Sequence, residues 1–150
     1  MPCEFRFRRR VQFYETDAAG IVHFSWFFRY MEEAEHAAWR AAGLNIWESG
    51  EGLSWPRISA RCDFKSPLKF QDEFEVRSEI TSITRSTIMW SHDLVRGDVT
   101  VASGSVTAVC VQKNADGSMK SAQIPAEIVA ALSTSTPIAR SSQSAPRSPR

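Results

Sequence analysis

The sequence predicts an α+β fold in which an antiparallel sheet of five strands wraps around one long helix. One long segment, residues 24–42, repeats its apolar residues every three or four positions, which is the helical period. One segment before it and four segments after it alternate apolar and polar residues, as half-buried strands do. Short turn sequences connect the later strands, and strands joined in this way pair in antiparallel order.

The opening strand is predicted over Phe5–Tyr14, where large apolar residues recur at every second position for most of its length. The small and polar residues 16–20 then indicate a tight connection. The helix follows over residues 24–42, about five turns. Gly43 and Leu44 predict its end, because glycine accepts the left-handed conformation there and leucine folds back onto the last turn. The apolar face of the helix consists of Phe24, Phe27, Phe28, Met31, Ala34, Ala38 and Ala42.

Four further strands are predicted after the helix. Gly97 and Asp98 indicate a hairpin between the third and the fourth of these, and residues 114–117 indicate a turn at the end of the last. Pro125 is tolerated in a first helical turn and predicts a short final helix that ends at Leu132. The four strands are marked by residues 57–65, 74–80, 88–94 and 99–111. Strand residues such as Trp90 suggest that neither sheet face is wholly polar, so we expect the protein to associate with itself.

The chain is predicted to contain one folded domain, residues 1–132, and a disordered tail, residues 133–150. The tail is rich in serine, proline and arginine, and Ile138 is its only large apolar residue. Such a segment buries too little apolar surface to offset the entropy lost on ordering. We therefore place all candidate functional residues in the first 132 positions.

Composition argues against several classes of function. Hydrophobic residues make up 43% and charged residues 23% of the chain, which is usual for a globular protein, and the net charge of +1 gives no reason to expect nucleic acid as a partner. The N-terminus has no apolar core of a secretory signal, and no apolar run has the length of a membrane span. We expect a cytoplasmic protein that needs no membrane. No metal-site spacing connects Cys3, Cys62, Cys110, His23, His36 and His92.

The candidate catalytic group is the carboxylate of Asp17. It lies in a loop of small residues a few positions before the predicted helix. The N-terminus of a helix presents unpaired N–H groups that can stabilise an oxyanion, and a nearby carboxylate can attack a carbonyl or activate water. Spacing alone leaves another interpretation open, because an aspartate in such a loop is often a turn or cap residue.

The residues around this loop resemble the 4-hydroxybenzoyl-CoA thioesterase family, in the branch that carries a catalytic aspartate on the loop. The resemblance covers about residues 5–128. Its most specific part is the run Thr16-Asp17-Ala18-Ala19-Gly20-Ile21-Val22-His23-Phe24, followed by Phe27, Arg29, Tyr30, Glu33 and Ala34. Gly43-Leu44 and the stretch Phe64-Lys65-Ser66-Pro67-Leu68, with Phe70 and Asp72, support it.

The resemblance implies a hotdog fold and the hydrolysis of an acyl-CoA thioester to free acid and CoA. Asp17 matches the family's nucleophile or general base, and the backbone N–H of Phe24 matches the donor that polarises the thioester carbonyl. Residues that match the turn lining the acyl entrance are Gly20, Ile21, Val22 and His23. The family also implies a homodimer or homotetramer, with sites at the subunit interface and with neither a metal nor another cofactor.

Several residues keep a second interpretation. His23 can act as a proton donor, but we favour a role in holding the helix entrance. Glu32, Glu33 and Glu35 lie on the helix, where another hotdog class carries its catalytic glutamate, and we interpret them as solvated or interface charges. Aromatic residues that either line an acyl pocket or fill the core are Phe24, Trp26, Phe27, Trp47 and Trp55.

Two rival functions fit the same fold. A hotdog hydratase pairs Asp and His through an Asp-x-Asn-Pro-x-His motif or a His-x-Phe-Pro-Gly type motif, whereas Asp17 and His23 are six positions apart with no Asn-Pro between them. A non-catalytic acyl-CoA-binding module needs no carboxylate beside the carbonyl. Among thioester substrates, both aromatic and fatty acyl-CoA remain open.

Overall fold

The computed structural model describes residues 4–48, 50 and 52–134. Its elements in chain order are β1 (Glu4–Arg10), α1 (Ser25–Ala41), β2 (Leu53–Ser54), β3 (Arg57–Phe64), β4 (Glu73–Ile83), β5 (Thr87–Arg96), β6 (Val99–Val109), β7 (Val111–Lys113), β8 (Met119–Ser121) and α2 (Ala126–Thr134). The first two residues of the predicted tail therefore belong to α2, and the rest of the tail lies outside the described residues.

The five long strands form one antiparallel sheet in the order β1-β4-β5-β6-β3, and α1 packs against one face of it. This confirms the predicted architecture. A second sheet, β2-β7-β8, was not predicted. It arises because the long strand predicted to end near Val111 is interrupted at Cys110, whose N–H donates to the carbonyl of Ser86 at 2.7 Å.

The opening strand is shorter than the alternation predicted. It ends at Arg10, and residues 13–15 form a single 3-10 turn. The turn is closed by Glu15, whose carboxylate accepts a hydrogen bond at 2.8 Å from the backbone N–H of Gln12. As a result Phe13 and Tyr14, predicted to lie in the strand, are 73% and 69% exposed.

Helix α1 begins and ends where the sequence predicts. Its 17 residues follow Phe24, which occupies the N-cap position. At the other end Gly43 has φ +80°, a conformation that glycine adopts without strain. The N–H of Gly43 donates to Arg40 and that of Leu44 to Trp39, both at 2.9 Å, which is the hydrogen-bond pattern of a Schellman motif.

The buried core forms two clusters along α1. One surrounds Tyr30 and Met31 near the helix start, and the other surrounds Trp39 near its end. Trp90 belongs to the second cluster and is buried between the sheet and the helix. Our reason for expecting self-association from Trp90 was therefore wrong, because this side chain does not lie on the outer face of the sheet.

Within the described residues, no helix combines the length and the apolar character that crossing a membrane requires.

Gly104 allows the helix and the sheet to approach closely. A Cβ atom at this position of β6 would lie 2.5 Å from Cε of Met31 and 2.5 Å from the carbonyl oxygen of Arg61 in β3. The methionine side chain can shift, but the backbone oxygen moves only if β3 moves with it.

We expect Gly104→Ala to lower the free energy of unfolding by about 1–3 kcal/mol, the usual cost of overpacking a close contact. Urea denaturation measures the effect. Ser105→Ala, at the next position of the same strand, is the matched control and should change stability by less than about 0.5 kcal/mol. Equal stability of the two variants would contradict the close approach.

Candidate active site

The Asp17 loop, residues 16–22, is a short hairpin closed by hydrogen bonds. Thr16 and Val22 form an antiparallel bridge at its base. Inside it the N–H of Asp17 donates to the carbonyl of Ile21, and the N–H of Gly20 donates to the carbonyl of Asp17, both at 2.9 Å. Gly20 has φ +83°, so this turn requires a residue that tolerates the left-handed region. The loop therefore holds Asp17 in one backbone conformation.

The Asp17 carboxylate is exposed, and only one of its oxygens has a partner in the part of the chain that the structure describes. Oδ1 accepts a hydrogen bond from the N–H of Ala19 at 2.8 Å, while Oδ2 accepts none from the described residues. No ion pair among these residues neutralises it. The side chain is thus oriented by one bond and retains an oxygen that can contact water or a substrate carbon.

The start of α1 presents an unused donor. The N–H groups of Ser25, Trp26 and Phe27 donate to His23 Nδ1, to the His23 carbonyl and to the Phe24 carbonyl respectively. The N–H of Phe24 donates to no acceptor in the described part of the chain. Unpaired N–H groups at a helix start carry partial positive charge, so this amide is suited to a carbonyl oxygen that becomes negative.

His23 contacts the first residues of α1. Its Nδ1 lies 2.8 Å from Oγ of Ser25 and accepts from the N–H of the same residue at 3.3 Å. Its ring also packs against that of Phe24, with centroids 4.6 Å apart. With Nδ1 accepting, the ring proton lies on Nε2 in the neutral form.

The remaining loop residues differ in what they expose. Gly20 is exposed, Ile21 is half-buried and Val22 is buried in the core. The N–H of Val22 donates to the carbonyl of Leu68 at 2.8 Å, which ties the loop to the segment before β4. The Val22 side chain therefore belongs to the core, and its N–H is already paired.

A buried carboxylate, Glu15, anchors the loop, and sequence reasoning missed it. Its Oε2 accepts from Arg9 at 2.5 Å, and its Oε1 accepts from the Tyr30 hydroxyl at 2.7 Å and from the N–H of Gln12 at 2.8 Å. The carbonyl of Glu15 accepts the N–H of His23 at 2.9 Å. One residue thus joins β1, the Asp17 loop and α1.

The charges in this cluster are fixed by their surroundings. Burial lowers the pKa of Arg9, but hydrogen bonds to Glu33 and Glu15 outweigh burial and raise it. Burial, and then the hydrogen bond to Glu15, raises the pKa of Tyr30. Arg9 therefore stays charged and Tyr30 stays protonated as a donor. A signal was present in the sequence, because Arg9 follows Phe5 and Phe7 on the buried side of the strand, where a charge needs a partner.

Of the three helix glutamates, Glu35 is not the solvated or interface charge that we expected. Glu33 accepts from Arg9 at 2.7 Å. Glu35 is only 1% exposed and pairs with Arg57 and with His92. It is buried because it lies on the side of α1 that faces β5 and β3, where these two partners compensate its charge.

The candidate aromatic residues separate into core and surface. Phe27 and Trp55 are buried, Trp26 is half-buried, and Phe24 and Trp47 are exposed. Phe27 and Trp55 therefore fill the core. Phe24 has an exposed ring, and its own backbone N–H is the donor described above. Within residues 4–48, 50 and 52–134, no three metal-binding side chains cluster.

Comparison with known proteins identifies the family. The family model described as Thioesterase superfamily matches residues 19–103 of the chain. The chain belongs to the Thioesterase superfamily. This confirms the family inferred by resemblance and, with it, the hotdog fold and the class of thioester hydrolase.

Individual relatives agree with this membership. The crystal structure of a hypothetical protein from Aquifex aeolicus is 37% identical, with TM-score 0.79, covering 85% of this chain and 98% of that one. A 1,4-dihydroxy-2-naphthoyl-CoA hydrolase of Nostoc punctiforme is 28% identical over 133 residues, 87% of each chain. A solved gentisyl-coenzyme A thioesterase is 27% identical, with TM-score 0.75, covering 86% of this chain and 99% of that one.

We expect Glu15→Gln to lower the free energy of unfolding by about 3 kcal/mol, since it removes a buried charge that three groups contact. Urea denaturation followed by tryptophan fluorescence measures this change. The matched control is Glu73→Gln, which removes the partner of Arg10 in an exposed pair and should cost less than about 1 kcal/mol. Similar losses in both variants would refute the anchoring role of Glu15.

Proposed function

We propose that this protein hydrolyses an acyl-CoA thioester to a free acid and CoA, with Asp17 and the backbone N–H of Phe24 as its catalytic groups. The observation that carries the proposal is that, among the described residues, one Asp17 carboxylate oxygen and the Phe24 N–H both lack a partner and lie on one short hydrogen-bonded segment. The carboxylate supplies a base or nucleophile, and the amide supplies an oxyanion donor.

Asp17 can act in this hydrolysis either as a general base or as a nucleophile. As a general base, Asp17 takes a proton from water, the hydroxide oxygen bonds to the thioester carbon, and the carbonyl oxygen becomes an oxyanion at the Phe24 amide. Collapse breaks the C–S bond and releases CoA, whose thiolate takes up the proton. As a nucleophile, Asp17 displaces the thiolate to form a mixed anhydride, which water then hydrolyses.

The acyl group is proposed to be aromatic or fatty, entering past Gly20, Ile21, the backbone of Val22, and His23. The names of two relatives, a dihydroxynaphthoyl-CoA hydrolase and a gentisyl-CoA thioesterase, favour an aromatic group. We also propose a cytoplasmic location. It is supported by the free thiols of Cys62 and Cys110, which suit a reducing compartment.

Replacing Asp17 by Asn should abolish release of free CoA, with kcat lower by about 10²- to 10⁴-fold, because the variant can neither accept a proton nor attack. Binding of an acyl-CoA should persist. Thiol release over a panel of acyl-CoA substrates measures turnover, and calorimetry on the variant measures binding.

The matched control for this variant is Asp98→Asn, in the hairpin between β5 and β6, which should retain wild-type turnover. Full turnover by Asp17→Asn would show that the site assignment is wrong. Formation of 3-hydroxyacyl-CoA from crotonyl-CoA would instead identify a hydratase.

Self-association is proposed through strand β3, as a dimer that can pair further into a tetramer. β3 is the last strand of the five-stranded sheet, and its eight residues offer a free edge for pairing. Two apolar side chains of this strand are exposed: Ile58 is 61% exposed and Phe64 is 49% exposed. A second copy that pairs antiparallel with β3 would cover both features.

Ile58→Lys, in β3, should convert the protein to a monomer, because it replaces an exposed apolar side chain of the paired edge by a charge that has no partner there. Sedimentation velocity at micromolar concentration measures the mass. Ser82→Lys, an exposed position on β4, should leave the wild-type assembly intact. A wild-type protein that sediments as one chain would remove the proposed dimer.

A further inference from the structure

A cavity of about 260 Å³ runs along α1 on the side of β3. On the helix it is lined by Ser25, Phe28, Arg29, Glu32 and Glu35, whose spacing of three and four positions places them on one side of α1. It begins one residue after Phe24, whose amide is the proposed oxyanion donor. From Ser25 to Glu35 the helix rises about 15 Å.

The cavity changes in character along its length. Phe28 lines it together with Ala60 of β3 and Val106 of β6, and Arg29 follows Phe28 on the helix. Its far end is charged, with Glu32 and Glu35 of the helix and Arg57 of β3. A ligand that enters from the helix start therefore meets Phe28 and Arg29 first and the pair of Glu35 and Arg57 last.

Arg57 is held in place by a chain of buried polar residues. Its Nη2 donates to Oε1 of Glu35, and its Nη1 donates to the carbonyl of Trp55 at 3.0 Å. Oε2 of Glu35 lies 2.8 Å from Nε2 of His92, and Nδ1 of His92 lies 2.7 Å from Oγ of Ser78. Glu35, His92 and Ser78 are all buried.

The Ser78, His92 and Glu35 side chains are not a second hydrolytic site. Ser78 is fully buried, so no substrate reaches its hydroxyl. With Ser78 donating to Nδ1 and the Nε2 proton donated to Glu35, a neutral His92 has both ring nitrogens satisfied. These hydrogen bonds orient the Glu35 carboxylate and, through it, the guanidinium of Arg57.

Arg57 retains binding capacity on the cavity wall. A guanidinium has five N–H donors, and two of those on Arg57 are used, so three have no acceptor among the described residues. The Glu32 carboxylate accepts no hydrogen bond in this same part of the chain. The guanidinium is held by its hydrogen bonds to Glu35 and to the Trp55 carbonyl, and Arg57 lines the cavity. A group held in this way is preorganised to bind a hydrogen-bond acceptor.

We propose that Arg57 is a substrate-binding residue, which donates hydrogen bonds to an uncharged oxygen of the thioester substrate at the end of the cavity away from the reacting carbonyl. The inference rests on the proposed thioesterase function. Glu35 already compensates the charge of Arg57, and the other two charged residues of the lining, Arg29 and Glu32, are opposite in sign, so the cavity has no net positive charge that would attract an anion. A hydroxyl suits the site because it can accept from Arg57 and donate to Glu32, and an amide oxygen can accept from Arg57 alone.

Such an oxygen has two sources, a hydroxyl on the acyl group or an amide of the pantetheine arm, and the experiment separates them. The substrates are 2-naphthoyl-CoA, 6-hydroxy-2-naphthoyl-CoA, and the same two acyl groups on N-acetylcysteamine, which lacks the distal pantetheine amide. The full chain and its Arg57→Lys variant are compared by kcat/KM. Lysine keeps a positive charge near Glu35 but loses the fork of donors.

Arg57→Lys should lower kcat/KM about 10- to 100-fold where the recognised oxygen is present, and little where it is absent. A loss confined to the hydroxylated substrates identifies the acyl group as the source. A loss on both CoA thioesters, but on neither N-acetylcysteamine thioester, identifies pantetheine. The matched control is Arg61→Lys, which changes an exposed arginine of the same strand and should leave all four values unchanged.

A second variant protects the test against misfolding. Glu35→Gln keeps the shape of the anchor but weakens its hold on Arg57, so it should show the same substrate dependence with a smaller loss. Melting temperatures of both variants report folding. If Arg57→Lys does not fold, the losses of kcat/KM that Glu35→Gln shows on the four substrates test the role of Arg57 instead.

Two results overturn the inference while leaving the thioesterase proposal intact. One is an equal loss of kcat/KM on all four substrates, and the other is no loss on any of them. A wild-type chain that hydrolyses none of these thioesters, nor any in the broader acyl-CoA panel, overturns the proposed function and this inference with it.

Discussion

A single buried carboxylate, that of Glu15, holds together the three parts of the chain on which the candidate site depends. It accepts hydrogen bonds from Arg9 of β1, from Tyr30 of α1 and from the turn that contains it. Its backbone carbonyl also receives the N–H of His23 at the end of the loop. A buried charge of this kind contributes specificity of arrangement more than net stability, because desolvation offsets much of its attraction to Arg9.

A second buried carboxylate, Glu35, performs a related task further along the same helix. It joins α1 to β5 through His92 and to β3 through Arg57. The helix is thus fixed by polar contacts at Tyr30 and at Glu35, with apolar packing around Met31 between them. A site that relies on a helix N–H gains from this arrangement, since a small displacement of α1 would move the donor.

Much of the fold followed from local pattern in the sequence. The helical period, the stop at Gly43 and the alternation of β4 and β5 are properties of neighbouring residues, so periodicity predicted them correctly. The early end of β1 was missed because the strand is broken by a contact from Glu15 to Gln12, which alternation does not register.

The buried charges were missed for a different physical reason. The charge of Glu35 is compensated by Arg57, which is 22 positions away in the sequence, and by His92, which is 57 positions away. A pattern read over neighbouring residues does not connect Glu35 with either partner. Periodicity assigns a glutamate to the solvent unless its partners are known. The candidate site was found mainly by resemblance, since an aspartate in a loop such as the Asp17 loop is more often a turn or cap residue.

In the proposed mechanism, the Phe24 amide polarises the carbonyl of a thioester that Asp17 then helps to hydrolyse. Infrared difference spectroscopy with a ¹³C-labelled thioester carbonyl, bound to the inactive Asp17→Asn chain, observes this bond directly. This mechanism predicts that the carbonyl stretch of the bound substrate shifts to lower frequency than in water, because a preorganised donor weakens the C=O bond. A bound carbonyl with an unshifted or higher frequency would contradict it.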